Sequence, residues 1–99
     1  MIRHTVVFAL RHAPNSAPEK AFLDAAMRLA SIPSVKNFER LRQTSPKNDF
    51  RFGFSMEFDT QEDYDFYNKH PDHVGFVQTR WIPEVSTFLE IDYEKLDRG

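Results

Sequence analysis

The 99-residue sequence predicts an α+β domain of the ferredoxin-like type, with elements in the order β-α-β-β-α-β. Three observations predict it. Phe50, Phe52, Phe54, Met56 and Phe58 alternate with Arg51, Gly53, Ser55 and Glu57, a period of two that marks a strand with one dry face. Phe22, Leu23, Ala26, Met27, Leu29 and Ala30 fall at helical spacings and give a broad apolar stripe. Prolines at 14, 33, 46, 71 and 83 divide the chain into segments of element length.

The first strand runs from Ile2 to Leu10, with His4, Val6, Phe8 and Leu10 in one phase and Thr5, Val7 and Ala9 in the other. Ala13, Pro14 and Asn15 break it. Ser16, Ala17, Pro18 and Glu19 form a capping box, with Pro18 in the first turn of the helix that follows. Ile32 before Pro33 ends that helix, because a residue preceding proline is pushed out of the helical region. Val35 to Arg42 is a weaker, charged strand, and the cluster from Ser45 to Asp49 is a turn. After the phenylalanine strand, Thr60 to Asp63 cap a short helix carrying Tyr64 and Tyr67. A second helical piece, from about Asp72 to Trp81, is started by Pro71 and stopped by Pro83. Val85 to Tyr93 is the last strand, and Glu94 to Gly99 is a polar tail.

No repeat or linker interrupts residues 1–99, which read as one domain. Helices cover one face of such a sheet. The other face is assigned Thr5, Val7, Ala9, Phe38, Arg40, Gly53, Ser55 and Phe88, neither fully polar nor fully apolar, so that a second copy of the chain can cover it.

The formal charge of −2 offers no basic field, so neither nucleic acid nor an anionic membrane is expected as a partner. No apolar run has the length of a membrane span, and the one at the N-terminus lacks a signal-peptide core and cleavage site. Cysteine is absent, which removes disulfides and thiolate metal sites and suits a soluble cytoplasmic protein.

The chemistry concentrates around Tyr67, Asn68, Lys69, His70, Pro71, Asp72, His73, Val74, Gly75 and Phe76. With Pro71 in the first helical position, His70 becomes the cap residue and His73 lies in the first turn. His73, Phe76, Val77 and Trp81 then share one face, at spacings of three, four and eight. That face is core-like, and His4 alternates in phase with core residues of the first strand. Two inward histidines, distant in sequence, can therefore meet between sheet and helix. Burial and a helix start both disfavour imidazolium, which leaves His73 a neutral imidazole suited to general-base work. Tyr67, one helix earlier, can present its phenol to a developing enolate. Proton abstraction beside a carbonyl is the chemistry this set would serve. The competing reading is structural: inward histidines that hydrogen-bond a carbonyl or a tyrosine and catalyse nothing.

A metal clip from His70 and His73 needs both rings on one side, which the helix boundary prevents, and no glutamate at a suitable spacing completes a set; no metal is expected. His12 reads as an exposed strand end. Arg40, Arg42 and Arg51 read as partners of Glu39, Glu57 or Glu90, in the sheet or across a dimer, with an acidic ligand as the alternative partner. Gly75 fits either close helix packing or room for a ligand.

Three features resemble the stress-responsive alpha-beta barrel (Dabb) family, which includes olivetolic acid cyclase. They are Ile2, Arg3, His4, Thr5, Val6, Val7 and Phe8 at the start; Tyr67, His70, Pro71, His73, Val74, Gly75 and Phe76; and Ile91, Asp92 and Tyr93 at the end. The resemblance implies a homodimer in which two four-stranded sheets face each other as a dimeric α/β barrel. It also implies a pocket between sheet and helices lined by His4, Tyr67 and His73 as catalytic residues. In the cyclase branch such a pocket acts on a polyketide-like carbonyl compound without a cofactor, and no cofactor is expected here. A fourth residue of that branch, a tyrosine of the first helix, falls at Ala25. The alternative to a cofactor-free cyclase, isomerase or lyase is a non-catalytic stress-associated homodimer with a filled core.

Overall fold

The computed structural model describes residues 1–97. Four strands form one antiparallel sheet in the order β2-β3-β1-β4, where β1 is Ile2–Leu10, β2 is Lys36–Arg42, β3 is Phe52–Phe58 and β4 is Val85–Glu94. Helix α1, Ala17–Ala25, continues as a tighter 3-10 stretch, Ala26–Ser31, and crosses from β1 to β2. Helices α2, Gln61–Lys69, and α3, Pro71–Phe76, lead from β3 back towards β4. The ferredoxin-like order is as the sequence pattern predicts.

The N-terminus of α1 shows how locally encoded this is. Ser16 accepts a hydrogen bond from the Glu19 amide at 3.3 Å, and the buried Glu19 carboxylate accepts from the Asn15 amide at 3.0 Å. The reciprocal bond thus lands one residue before the cap. Asn15 meets it with a left-handed backbone, φ 62°, a conformation asparagine tolerates better than most residues.

The dry phase of β3 is the floor of the core. Phe52, Phe54, Met56 and Phe58 are all buried, and Phe8 and Phe22 pack onto them with ring centroids 4.7 Å (Phe8 to Phe54) and 6.5 Å (Phe22 to Phe54) apart. Phe50 precedes the strand rather than opening it.

Helical structure after α3 runs further than the sequence suggests. The turn Val77–Trp81 is widened to π geometry, and Ile82–Glu84 add a last short α turn, α4, that contains Pro83. Proline has no amide to donate, and the widened turn just before it accommodates that loss without ending the helix.

The open face of the sheet also differs in composition. Register pairs Arg40 with Phe54 and Phe88 with Phe8, so Arg40 and Phe88 lie on the helix side; Phe38 joins them, its ring 5.6 Å from that of Phe54. A register shift between Lys36 and Glu39, with Asn37 at φ 52°, moves β2 out of the phase its alternation suggests. The open face is instead formed by Thr5, Val7, Glu39 and Leu41 with Leu89, Ile91 and Tyr93 of edge strand β4. Leu41, Leu89, Ile91 and Tyr93 are exposed.

Candidate functional site

His4 is buried at the centre of β1, opposite Met56 of β3 and Asp92 of β4. Its Nδ1 donates to Asp92 Oδ1 at 2.6 Å. The Tyr64 hydroxyl donates to Asp92 Oδ2 at 2.8 Å and lies 2.8 Å from the same Nδ1. A histidine, a carboxylate and a phenol from β1, β4 and α2 thus close a triangle. Tyr64 stacks on Phe58 at 4.8 Å, which fixes the phenol from behind. Burial, then the Asp92 carboxylate, raises its pKa far above the ordinary phenol range, so it stays a donor.

Tyr67 and His73 complete the inward set. Tyr67 is almost fully buried, with its ring 6.1 Å from that of His4 and 4.3 Å from that of His73. Burial, and after it the charge of Glu90, drives the Tyr67 pKa well up, so this phenol too is a donor rather than a phenolate. His73 Nδ1 contacts the Asn68 carbonyl at 3.1 Å. A carbonyl only accepts, so Nδ1 carries the proton and the neutral ring keeps its lone pair on Nε2. Burial lowers the His73 pKa below the ordinary value of 6.5, against a smaller opposing effect of the Asn68 carbonyl.

These three residues share one cavity of about 340 Å³ between the sheet and α2 and α3. His4, Tyr67, Asn68, His73 and Glu90 supply its polar wall, and Phe54, Met56, Phe76, Trp81 and Phe88 much of its apolar one. His73, Phe76, Val77 and Trp81 all line it, as their shared helix face predicts. His70 does not. It caps α3 by accepting from the Asp72 amide at 3.1 Å, and its ring lies 5.6 Å from that of Phe66.

Sequence reasoning missed Tyr64, Glu90 and the role of Asp92. Tyr64 had its spacing of three from Tyr67 on one helix as a signal, whereas Glu90 and Asp92 had only their alternation with Phe88 on β4, and the register that sets those three opposite Val6, His4 and Phe8 is not readable from β4 alone. His12 is half-buried rather than exposed, held to Glu84 at 2.7 Å. The arginines also differ from expectation: Arg40 meets Asp24 at 3.6 Å, Arg51 meets Glu19 at 3.6 Å, and Arg42 lies over the Phe52 ring. Ala25 and Gly75 border a separate cleft with Arg28 and Arg80, and a Cβ at Gly75 would meet nothing within 4 Å, so close packing is not its role.

His4, Glu90 and Asp92 bring ligand atoms within 4.8 Å of one another, a grouping the sequence did not suggest. The 2.6 Å between His4 Nδ1 and Asp92 Oδ1 is a hydrogen-bond distance. Two ligands of a tetrahedral zinc stand about 3.4 Å apart.

The profile of the stress responsive A/B barrel domain, Dabb, matches residues 2–95. The chain is a member of the Dabb family. A Dabb family protein of ferredoxin-like fold from Mesorhizobium loti is 61% identical, with 97% of each chain covered and a TM-score of 0.94. A dimeric protein of unknown function and ferredoxin-like fold from Bacteroides fragilis is 22% identical over 95% of each chain, with a TM-score of 0.73. The hydroxynitrile lyase of Passiflora edulis covers 99% of this Dabb chain and 96% of its own at 14% identity, with a TM-score of 0.84. The latter two likenesses show the fold alone. No curated protein matches the chain significantly. Among the described residues, no helix of this Dabb protein is long and apolar enough to cross a membrane.

Proposed function

We propose that this Dabb protein is a homodimer that binds a small carbonyl compound between sheet and helices and abstracts a proton beside the carbonyl without a cofactor. One observation carries the reading: a cavity of about 340 Å³ touches His4, Tyr67 and His73 together, with His73 held in the tautomer that leaves Nε2 free. A filled core would leave no such space, so the cavity favours this reading over the non-catalytic one.

In the proposed step His73 Nε2 takes the α-proton. The C–H electron pair becomes the C=C bond of an enolate, whose oxygen is met by the Tyr67 hydroxyl. His4, fixed by Asp92, positions the opposite wall. The enolate then attacks an internal carbonyl, expels a leaving group or is reprotonated elsewhere. These outcomes correspond to cyclase, lyase and isomerase activity, and each needs only acid–base groups. A hydroxynitrile lyase on the same fold supports the idea that the fold can host an enzyme.

The homodimer is supported by the exposed apolar row of Leu41, Leu89, Ile91 and Tyr93, and by a ferredoxin-like neighbour that is dimeric.

Acetophenone titrated into isotope-labelled protein tests the pocket. Shifts centred on His4, Tyr67 and His73 are expected, and they should vanish in His73→Ala. Shifts scattered over the surface, unchanged by that substitution, would remove the reading.

A further inference from the structure

The charge of the cavity says which carbonyl compounds it would accept. Among the described residues, neither lysine nor arginine lines it. The Glu90 carboxylate does, and Asp92 stands behind His4. Glu90 faces only the Tyr64 hydroxyl at 3.3 Å and His4 Nδ1 at 3.7 Å; among the described residues it has no lysine or arginine partner. His73 is neutral in the tautomer described. An anionic ligand would therefore enter a space lined by a carboxylate and, among the described residues, by no lysine or arginine.

The rest of the wall is aromatic. Phe54, Tyr67, Phe76, Trp81 and Phe88 line the cavity, with Trp81 and Phe88 meeting edge to face at a centroid distance of 5.6 Å. Ring faces attract ammonium groups even where, as at half-exposed Phe88 and Glu90, the wall stays open to water. A carboxylate beside several rings is a composition suited to an organic cation.

We infer that the cavity selects by charge, taking a small carbonyl compound that carries an alkylammonium group, with Glu90 and the aromatic wall around Trp81 and Phe88 as its specificity determinants. This rests on the pocket proposed above. It adds the substrate class and assigns Glu90, which the proton-transfer step does not use, a binding role. Glu90 lines the same cavity as Tyr67 and His73, so one compound can meet Glu90 with its amine and those two residues with its carbonyl.

Three ring probes of nearly equal size test it at pH 7: benzylammonium, benzyl alcohol and benzoate, each titrated by NMR into wild type and Glu90→Gln, with acetophenone as the neutral carbonyl control. Benzylammonium should bind about threefold to fivefold more tightly than benzyl alcohol, benzoate should bind weakest, and cavity resonances should report it. Glu90→Gln should lower benzylammonium to the affinity of benzyl alcohol. Acetophenone binding without any preference for benzylammonium would overturn the charge selection and leave the pocket standing. So would a preference that survives Glu90→Gln, or one that maps outside the cavity. Failure of all four probes to reach the cavity would overturn both.

Discussion

Asp92 Oδ1 lies 2.6 Å from His4 Nδ1, and the two residues are direct partners across the antiparallel pair of β1 and β4. The edge strand thus holds the central histidine. Removing the carboxylate leaves the His4 ring without its acceptor and the Tyr64 hydroxyl with only the longer bond to Glu90. Asp92→Ala should cost about 1–2 kcal/mol, the low end of the range for a stranded buried donor, because Asp92 itself is partly exposed. Asp92→Asn keeps an oxygen there and should cost less. Urea denaturation of the two variants checks the order; equal losses would show that the triangle does not hold the site.

His73 makes stability depend on pH in a definite direction. Its folded-state pKa lies below 6.5, chiefly through burial, so below 6.5 the unfolded chain binds the proton more readily than the folded one. Stability should be full above about 6.5, fall as pH drops through the folded pKa, and level off beneath it. His73→Asn should flatten that window. Denaturation midpoints at several pH values, with ring-proton titration by NMR, give both quantities; a His73 titrating above 6.5 would reverse the sign.

His70 separates capping from binding. It ends α2 and starts α3, and its side chain accepts from the Asp72 amide. His70→Ala should cost about 1 kcal/mol, as cap removal does, and His70→Asn should restore most of it. Ligand titration should be unchanged in both.

Phe54 sits at the crossing of the Phe8, Phe22, Phe38 and Trp81 rings. Phe54→Ala should destabilise by about 3–5 kcal/mol. Arg51→Ala, which loses a contact with buried Glu19 and the guanidinium over the Phe52 ring, should cost less, about 1–2 kcal/mol. Similar midpoints for the two would mean the facing of β3 is wrong.

The proposed dimer places Leu89 and Ile91 at its interface. Sedimentation of wild type at micromolar concentration should give twice 11.7 kDa, and Ile91→Glu should shift it towards the monomer. A wild-type monomer throughout that range would remove the barrel arrangement.

How much was legible follows from where the signals were local. The alternation of His4, Val6 and Phe8 against Thr5 and Val7 is one-sided enough to point His4 inward, and Pro71 places the helix boundary that turns His73 in and makes His70 a cap. The β4 strand is different. Phe88, Glu90 and Asp92 in one phase are no more apolar than Leu89, Ile91 and Tyr93 in the other, so composition does not decide which row faces the helices. Pairing with β1 does, and that is a long-range fact. The carboxylates of the site were hidden for that reason. The helix through Pro83 was missed because proline ends helices as a rule, whereas a widened turn before it absorbs the lost hydrogen bond here.

The central claim is that His73 removes a proton from a carbonyl compound held in the cavity. Exchange of the acetophenone methyl protons in deuterated buffer, followed by NMR above pH 7, measures that step directly. Wild type should accelerate exchange over buffer, His73→Asn should return it to the buffer rate, and His70→Asn should match wild type. Exchange no faster than in buffer while acetophenone occupies the cavity, or exchange that survives the loss of His73, would contradict it.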